Sequence, residues 1–243
     1  MGFTKISTHN IYSGQKFSRI EAARSSTINF PGISSNGIVL NIDPFLSSSY
    51  PGSGTTVYDL SPNPVNGTLT GGPTFTSPYF QFDSTDDYIA FASSSKWAFG
   101  TGDFTLESWV YRQSSTSYTH IFAFPSQSTM ALKVENSTGH LYLYTSSWDN
   151  YNAPSGWTLP LNTWTHVVFK REQGTGYAYL NSILKQSKVS FTNSFSAQIL
   201  NIRNGYPGEF QQCRLGMSNI YNRALSDIEI STNYNSTRSR YGV

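Results

Sequence analysis

The string FDSTDDYIAF sets Asp83, Asp86 and Asp87 within five consecutive positions. Carboxylate oxygens gathered on one loop are the hard ligands that a calcium ion takes, so these aspartates are the candidate metal ligands of the chain. They also suit a tight turn between two strands, where short acidic side chains accept hydrogen bonds from nearby backbone N–H groups, and the turn is the simpler reading. A second loop, SSWDNYNAPSGW, offers different chemistry. Trp148, Tyr151 and Trp157 are flat rings on which the apolar C–H face of a sugar can stack, with Asp149 and Asn150 placed to take its hydroxyls. The alternative is a loop folded over its own aromatics. Asp149, Asn150 and Asn152 make only a weak second calcium set, and no firm calcium site accompanies these rings, so the sequence favours packing.

Catalytic constellations are harder to find. A zinc site needs partner His or Cys at close spacing, and neither His120 nor His140 has one. His166, in TWTHVVFK, is expected to pack or hydrogen-bond beside Trp164. No nucleophile elbow surrounds any serine. The single cysteine, Cys213, rules out an internal disulfide framework and reads as a small buried group in the strand FQQCRLGM. Glu107, in DFTLESWVY, is the one strand carboxylate that invites an acid–base role, and it is expected to be a polar residue on the outward face of its strand.

Elements that would position these residues follow from composition and alternation. Charged residues make up 12% of the 243, against about 25% in an ordinary globular chain, while Phe, Trp and Tyr reach 15%. A formal net charge of +2 with no basic block lacks the field that draws nucleic acid or anionic lipid. No run of 18 apolar residues is present, nor an apolar run of signal-peptide length in the first thirty, so no membrane association is expected. From Gly37 onward, short strand signals recur between Gly, Pro, Asn and Ser loops: GIVLNIDP, then residues 79–82, 87–92, 103–111, 120–124, 130–135, 140–146, 163–171, 176–181 and 210–221. The stretch SSSYPGSGTTVYDLSPNPVNGTLTGGP reads as loop. So many short strands predict an all-β antiparallel sandwich.

Both ends depart from this pattern. Residues 1–35 carry Lys5, Lys16, Arg19 and Arg24 without a clear period, and read as an extended arm ahead of a domain over 36–243. Near the other end, Ser226 followed by Glu229 is a capping box that predicts a short helix with Ile228 and Ile230 as its apolar stripe.

TWTHVVFKREQGTGYAYLNSIL and IYNRALSDIEISTNYN together resemble the laminin-G-like branch of the concanavalin A-like jelly rolls. SYPGSGTTVYDLSPNPVNGTLTGGPTF and FQFDSTDDYIAF are similar to the opening of that domain in structural proteins of tailed bacteriophages. The resemblance covers about residues 37–236 and departs from the family at Asn181-Ser182, where Asn-Gly is common, and at Val57, where Trp is common. It implies a two-sheet jelly roll with RLGMSNIYN as a late strand and ALSDIEIS as the helix after it. Hydrolases of the laminarinase type in this superfamily carry Glu-x-Asp-x-x-Glu on one strand, and the sequence has no such string, so no enzymatic activity is expected.

For function, the resemblance implies a non-enzymatic structural protein of a phage virion, made in the host cytoplasm. The jelly roll would project outward as a capsid decoration or fibre head, with the arm docked on capsid or tail proteins. A homo-oligomer is compatible with that role. The alternative is an adhesin that binds a host or environmental glycan. No cofactor is expected unless the aspartates hold calcium.

Overall fold

Three strands of nine residues each dominate the chain: β7 (Phe104–Arg112), β11 (Trp164–Glu172) and β15 (Cys213–Tyr221). Nearly every residue in them is buried, so side chains on both faces need cover. The computed structural model describes residues 32–125, 130–145, 158–188, 190–196, 199–203 and 209–243. It places β7 between β11 and β15 at the middle of an antiparallel sheet. Beyond β11 come β12 (Thr175–Leu180) and β13 (Ile183–Lys188). Along its other edge β15 takes β5 (Tyr79–Phe82) beside Cys213–Leu215 and β1 (Ile38–Ile42) beside Ser218–Tyr221, and β4 (Thr74–Thr76) closes that side.

The second sheet is also antiparallel. From one edge to the other it runs β10 (Leu141–Thr145), β9 (Met130–Val134), β8 (Thr119–Phe124) and β14 (Leu200–Ile202), then β6 (Tyr88–Phe91), β3 (Gly67–Thr70) and β2 (Thr56–Val57). The two inner faces make the main core. Phe104, Leu106, Val110, Val167, Phe169, Leu215 and Ile220 meet Ile89, Phe91, Phe122, Phe124, Leu132, Val134, Leu200 and Ile202 there. Cys213 lies in this core, where burial pushes its thiol above the ordinary range. The fold is the antiparallel sandwich that the strand spacing predicts, in the two-sheet jelly-roll form that the resemblance implies.

Differences from the sequence reading have local causes. The stretch read as loop contributes β2 and β3, and three further strands, β4, β13 and β14, also carried no clear signal. These pieces are only two to six residues long, too short for a period to stand out from the surrounding loops. At Asn181-Ser182 both residues take positive φ, 50° and 64°, which is the two-residue hairpin turn that an Asn-Gly pair would make. Val57 is fully buried in the core.

Outside the first sheet lies the helix α1 (Asp227–Thr237). The expected capping box is formed: Ser226 Oγ accepts from the Glu229 N–H, and Glu229 Oε2 accepts from the Ser226 N–H at 2.9 Å. Its stripe differs from the expectation, because residues two apart point about 200° apart on a helix. Ile230 is wholly buried while Ile228 is 79% exposed. The buried face is Ile230, Asn233 and Thr237. Arg223 clasps Glu229 through two hydrogen bonds of 2.5 and 2.9 Å, and chiefly for that reason the Glu229 carboxyl is held down to about 2.

Of the expected arm, residues 32–35 are described and lie against α1. Ile33 packs into the apolar clusters beneath the helix, Ser34 N–H donates to Asn233 Oδ1 at 2.8 Å, and Ser236 Oγ donates to the Gly32 carbonyl. Residues 1–31 lie outside the described residues.

The outward face of β11 carries Trp164, whose ring meets Tyr79, Tyr111 and Tyr241 at centroid distances of 5.5, 5.4 and 4.7 Å. Only 9% of it is exposed. Trp164→Ala should therefore cost about 3–5 kcal/mol in denaturant melts, and a loss under about 1 kcal/mol would mean that this outer layer packs without it.

Candidate functional site

The strand carboxylate singled out by the sequence is not on a solvated face. Glu107 has no accessible surface. β7 presents it to the outer side of the first sheet, directly beneath α1, and register brings β11 and β15 to its flanks. Its Oε1 lies 2.8 Å from His166 Nε2 and accepts from Asn233 Nδ2 at 3.1 Å. Its Oε2 accepts from Asn219 Nδ2 at 3.1 Å, Tyr221 Oη at 3.3 Å and Asn233 Nδ2 at 2.9 Å. Burial, followed by the adjacent Glu107 charge, pushes the Tyr221 phenol well above its ordinary range, so it remains a donor. The His166 ring also packs against that of Trp109, at 5.1 Å and tilted by 47°. Glu107 thus joins sheet to helix, in a place where a substrate has no entry.

Asp83, Asp86 and Asp87 do come together, with one carboxylate oxygen of each within 4.8 Å of the others. They stand on the loop between β5 and β6. Asp87 Oδ2 accepts from the Asp83 N–H at 2.7 Å, and Asp83 Oδ1 accepts from the Thr85 N–H at 2.8 Å, which are the bonds of a tight turn. The Thr85 hydrogen bond holds the Asp83 carboxyl below its usual value. Burial, and then the charges of Asp83 and Asp86, raise that of Asp87. Arg203, itself buried, donates to the Asp83 carbonyl at 2.5 Å and sets a positive charge beside the group. Carboxylate oxygens at this spacing could hold a hard cation, and the same spacing serves the turn.

Trp148, Asp149, Asn150, Tyr151, Asn152 and Trp157 lie outside the described residues. The flanks of their loop are described. It leaves the fold after Thr145, at the end of β10, and re-enters at Thr158, which pairs with His140 at the other end of that strand. The loop is therefore tied to the β10 edge of the seven-stranded sheet.

On the outer face of that sheet, next to the same edge, polar and aromatic side chains gather. Register aligns Tyr142 with Lys133 and Lys133 with His120, and aligns Tyr144 with Ala131 and Ala131 with Ala123. Lys133 Nζ stands 3.9 Å from the centre of the Tyr118 ring and 5.1 Å from that of Tyr144. Glu209 Oε2 accepts from Lys133 Nζ at 3.1 Å and lies 2.5 Å from His120 Nε2. Burial alone would raise the Glu209 carboxyl, but the hydrogen bond to His120 and the Lys133 charge outweigh it and hold Glu209 ionised below the usual range. Burial lowers His120. The result is a half-buried surface of three tyrosines around one ammonium and one carboxylate, which suits hydroxyl-rich ligands with apolar ring faces.

Sequence reasoning missed this cluster. In HLYLYTS and MALKVE, alternation already puts Tyr142, Tyr144 and Lys133 on the side opposite Leu141, Leu143 and Leu132, so half of it was accessible. Glu209 joins His120 across 89 positions, and no local pattern announces that.

The fold defines the class: a two-sheet antiparallel jelly-roll sandwich with one helix outside the first sheet. The chain belongs to the concanavalin A-like lectin/glucanases superfamily, whose laminin G family model matches residues 83–231. Among curated protein sequences no match is found. Among solved structures the chain is similar to Trypanosoma rangeli sialidase in complex with sialic acid, with a TM-score of 0.67 and 13% identity, covering 86% of this chain and 34% of that one. It is also similar to the binding domain of botulinum neurotoxin serotype D/C, with a TM-score of 0.61 and 14% identity over 83% of this chain and 52% of that one. The chain thus spans about a third of the sialidase and about half of the toxin domain, and identities this low establish likeness of fold alone.

His120 and Glu209 set a pH dependence. Between the ordinary imidazole value, about 6.5, and the lowered value of His120, the unfolded chain takes a proton that the folded chain refuses, so stability falls with pH. Glu209 contributes stability above the ordinary carboxylate value, and this is lost as pH falls through its lowered one. The melting temperature should decline from pH 7 towards pH 4, and His120→Gln should flatten the upper part of that decline. An equal slope in variant and parent would assign the effect elsewhere.

Proposed function

We propose that this domain binds glycans without catalysing their hydrolysis. The observation that carries the reading is the outer-face cluster of Tyr118, Lys133, Tyr142, Tyr144 and Glu209 beside the strand from which the loop bearing Trp148, Tyr151 and Trp157 departs. Rings to stack on and fixed charges to orient hydroxyls then share one edge. Support for the non-catalytic part comes from the carboxylates: Glu107 is spent on the sheet–helix joint, and Glu209 is paired with a cation and held ionised, unlike a general acid. The reading requires no cofactor. The two structural relatives, a sialidase with sialic acid and a toxin binding domain, are compatible with it.

A glycan array probed with the whole chain tests this directly. Reproducible binding of neutral saccharides should fall at least tenfold in both Lys133→Gln and Tyr144→Ala, while the melts of both variants stay cooperative. A blank array with folded protein, or binding indifferent to both changes, would remove the proposal.

Within this reading, the domain serves as the outward-projecting head of a virion protein, as the bacteriophage resemblance suggests. Residue 32 is fastened beside α1, on the side of the sandwich away from the tyrosine face. Attachment through residues 1–31 would then leave that face pointing outward. A chain of residues 32–243 should melt cooperatively yet fail to join particles that incorporate the full chain, as read by mass spectrometry of purified particles. Incorporation of the shortened chain would mean that the arm is not the attachment.

A further inference from the structure

A second polar and aromatic surface stands on the opposite side of the sandwich, on the outer face of the first sheet beyond the end of α1. Arg214 projects from β15 between two tyrosine rings. Its guanidinium carbon lies 4.9 Å from the centre of the Tyr79 ring on β5 and 4.8 Å from that of Tyr111 on β7. Nε donates to Gln81 Oε1 at 2.9 Å, and Gln81 Nε2 donates in turn to Gln113 Oε1 at 2.6 Å. Trp164 backs both tyrosines. Tyr79, Gln81, Tyr111, Gln113 and Arg214 are all half-buried.

Most of the other described cations are committed to a partner, whereas the exposed Arg238 stands only over the Tyr234 ring. Lys96, Lys133, Lys170, Arg223 and Arg240 each pair with a carboxylate, and Arg112 and Arg171 donate to backbone carbonyls. Among the described residues Arg214 has no carboxylate partner, and its two terminal nitrogens make no hydrogen bond. The rings and Gln81 fix its plane, so those two nitrogens form a preorganised fork.

We propose that Arg214 anchors a binding site for a saccharide that carries a carboxylate, of the uronic or sialic acid type. A single guanidinium fork matches one planar carboxylate through two parallel hydrogen bonds, whereas a phosphate group recruits several cations, and Arg112, one register position away, is committed to backbone carbonyls. Tyr79 and Tyr111, whose rings hold the guanidinium, supply phenol hydroxyls, and Gln81 and Gln113 supply amide groups, for the hydroxyls of the pyranose. The site is independent of the tyrosine face on the other sheet, so the two can fail separately.

The test is an array of uronic- and sialic-acid-terminated saccharides with matched neutral and sulfated ones, probed with the full chain, Arg214→Gln and Arg214→Lys. Binding of the carboxylated set should fall at least tenfold in Arg214→Gln and several-fold in Arg214→Lys, which keeps the charge and loses the fork. It should also weaken with added salt, and should persist in Lys133→Gln. Carboxylated binding unchanged in Arg214→Gln, no preference over the neutral set, or a preference for sulfated saccharides would each overturn the proposal. Titrating free glucuronate while following the Arg214 Nε–H resonance gives a second reading: the signal should shift in the parent chain, and a signal that stays in place would overturn the assignment.

Discussion

A carboxylate without accessible surface must be surrounded by donors, and Glu107 collects them from every element around it. His166 comes from β11, Asn219 and Tyr221 from β15, and Asn233 from α1. The geometry is demanding, because removing one member leaves charge or amide buried without a partner, at a cost of about 3–5 kcal/mol for a broken buried pair. It also gives direction to packing that would otherwise be non-specific. On one side of this network Ile38, Val168, Tyr179, Leu225 and Ile230 form an apolar cluster, and on the other Trp109, Trp164, Met217 and Tyr241 form a second. The polar centre between them fixes where α1 sits along the sheet.

The chain end depends on that placement. Tyr241 stacks on Trp109 at 4.5 Å and accepts a hydrogen bond from the Met217 N–H at 2.8 Å. It lies directly over Gly216, where a Cβ would come within 2.3 Å of its hydroxyl oxygen. The β15 ladder shifts register in this segment, between Leu215 and Ser218. Leu215 therefore faces the core while Met217, two positions on, faces the helix layer. Strand, bulge and C-terminal segment form one interlocked unit.

Buried arginines hold the periphery in a comparable way. Arg112 donates to the carbonyls of Leu159 and Asn136 at 2.7 and 2.9 Å. Arg171 donates to those of Gly100 and Asn193 at 2.8 and 2.6 Å, and Arg203 to that of Asp83 at 2.5 Å. Burial lowers Arg112 and Arg171 from their ordinary values. A chain with few charges thus uses several of them to satisfy loop carbonyls that the sheets leave unpaired. The loops that carry Asp83 and flank Thr158 are set by these contacts, and candidate ligands at the sandwich surface are positioned through them.

Local pattern alone determined the long strands, the capping box at Ser226 and Glu229, and the burial of Cys213 and Trp164, because alternation and capping are properties of neighbouring residues. It also placed Tyr142, Tyr144 and Lys133 on one strand face. Short strands such as β2 and β14 escaped it, since a few residues carry no period. Only the tertiary structure decided that Glu107 is sealed beneath a helix and that Ile228 is exposed where Ile230 is buried. It alone brought Glu209 to His120 and Lys133, and left Arg214 between Tyr79 and Tyr111 with no carboxylate partner among the described residues. Those outcomes join residues from strands far apart in the chain, and the free energy of a buried or unpaired charge is set by whichever donors and acceptors the register of the sheets brings within hydrogen-bonding reach.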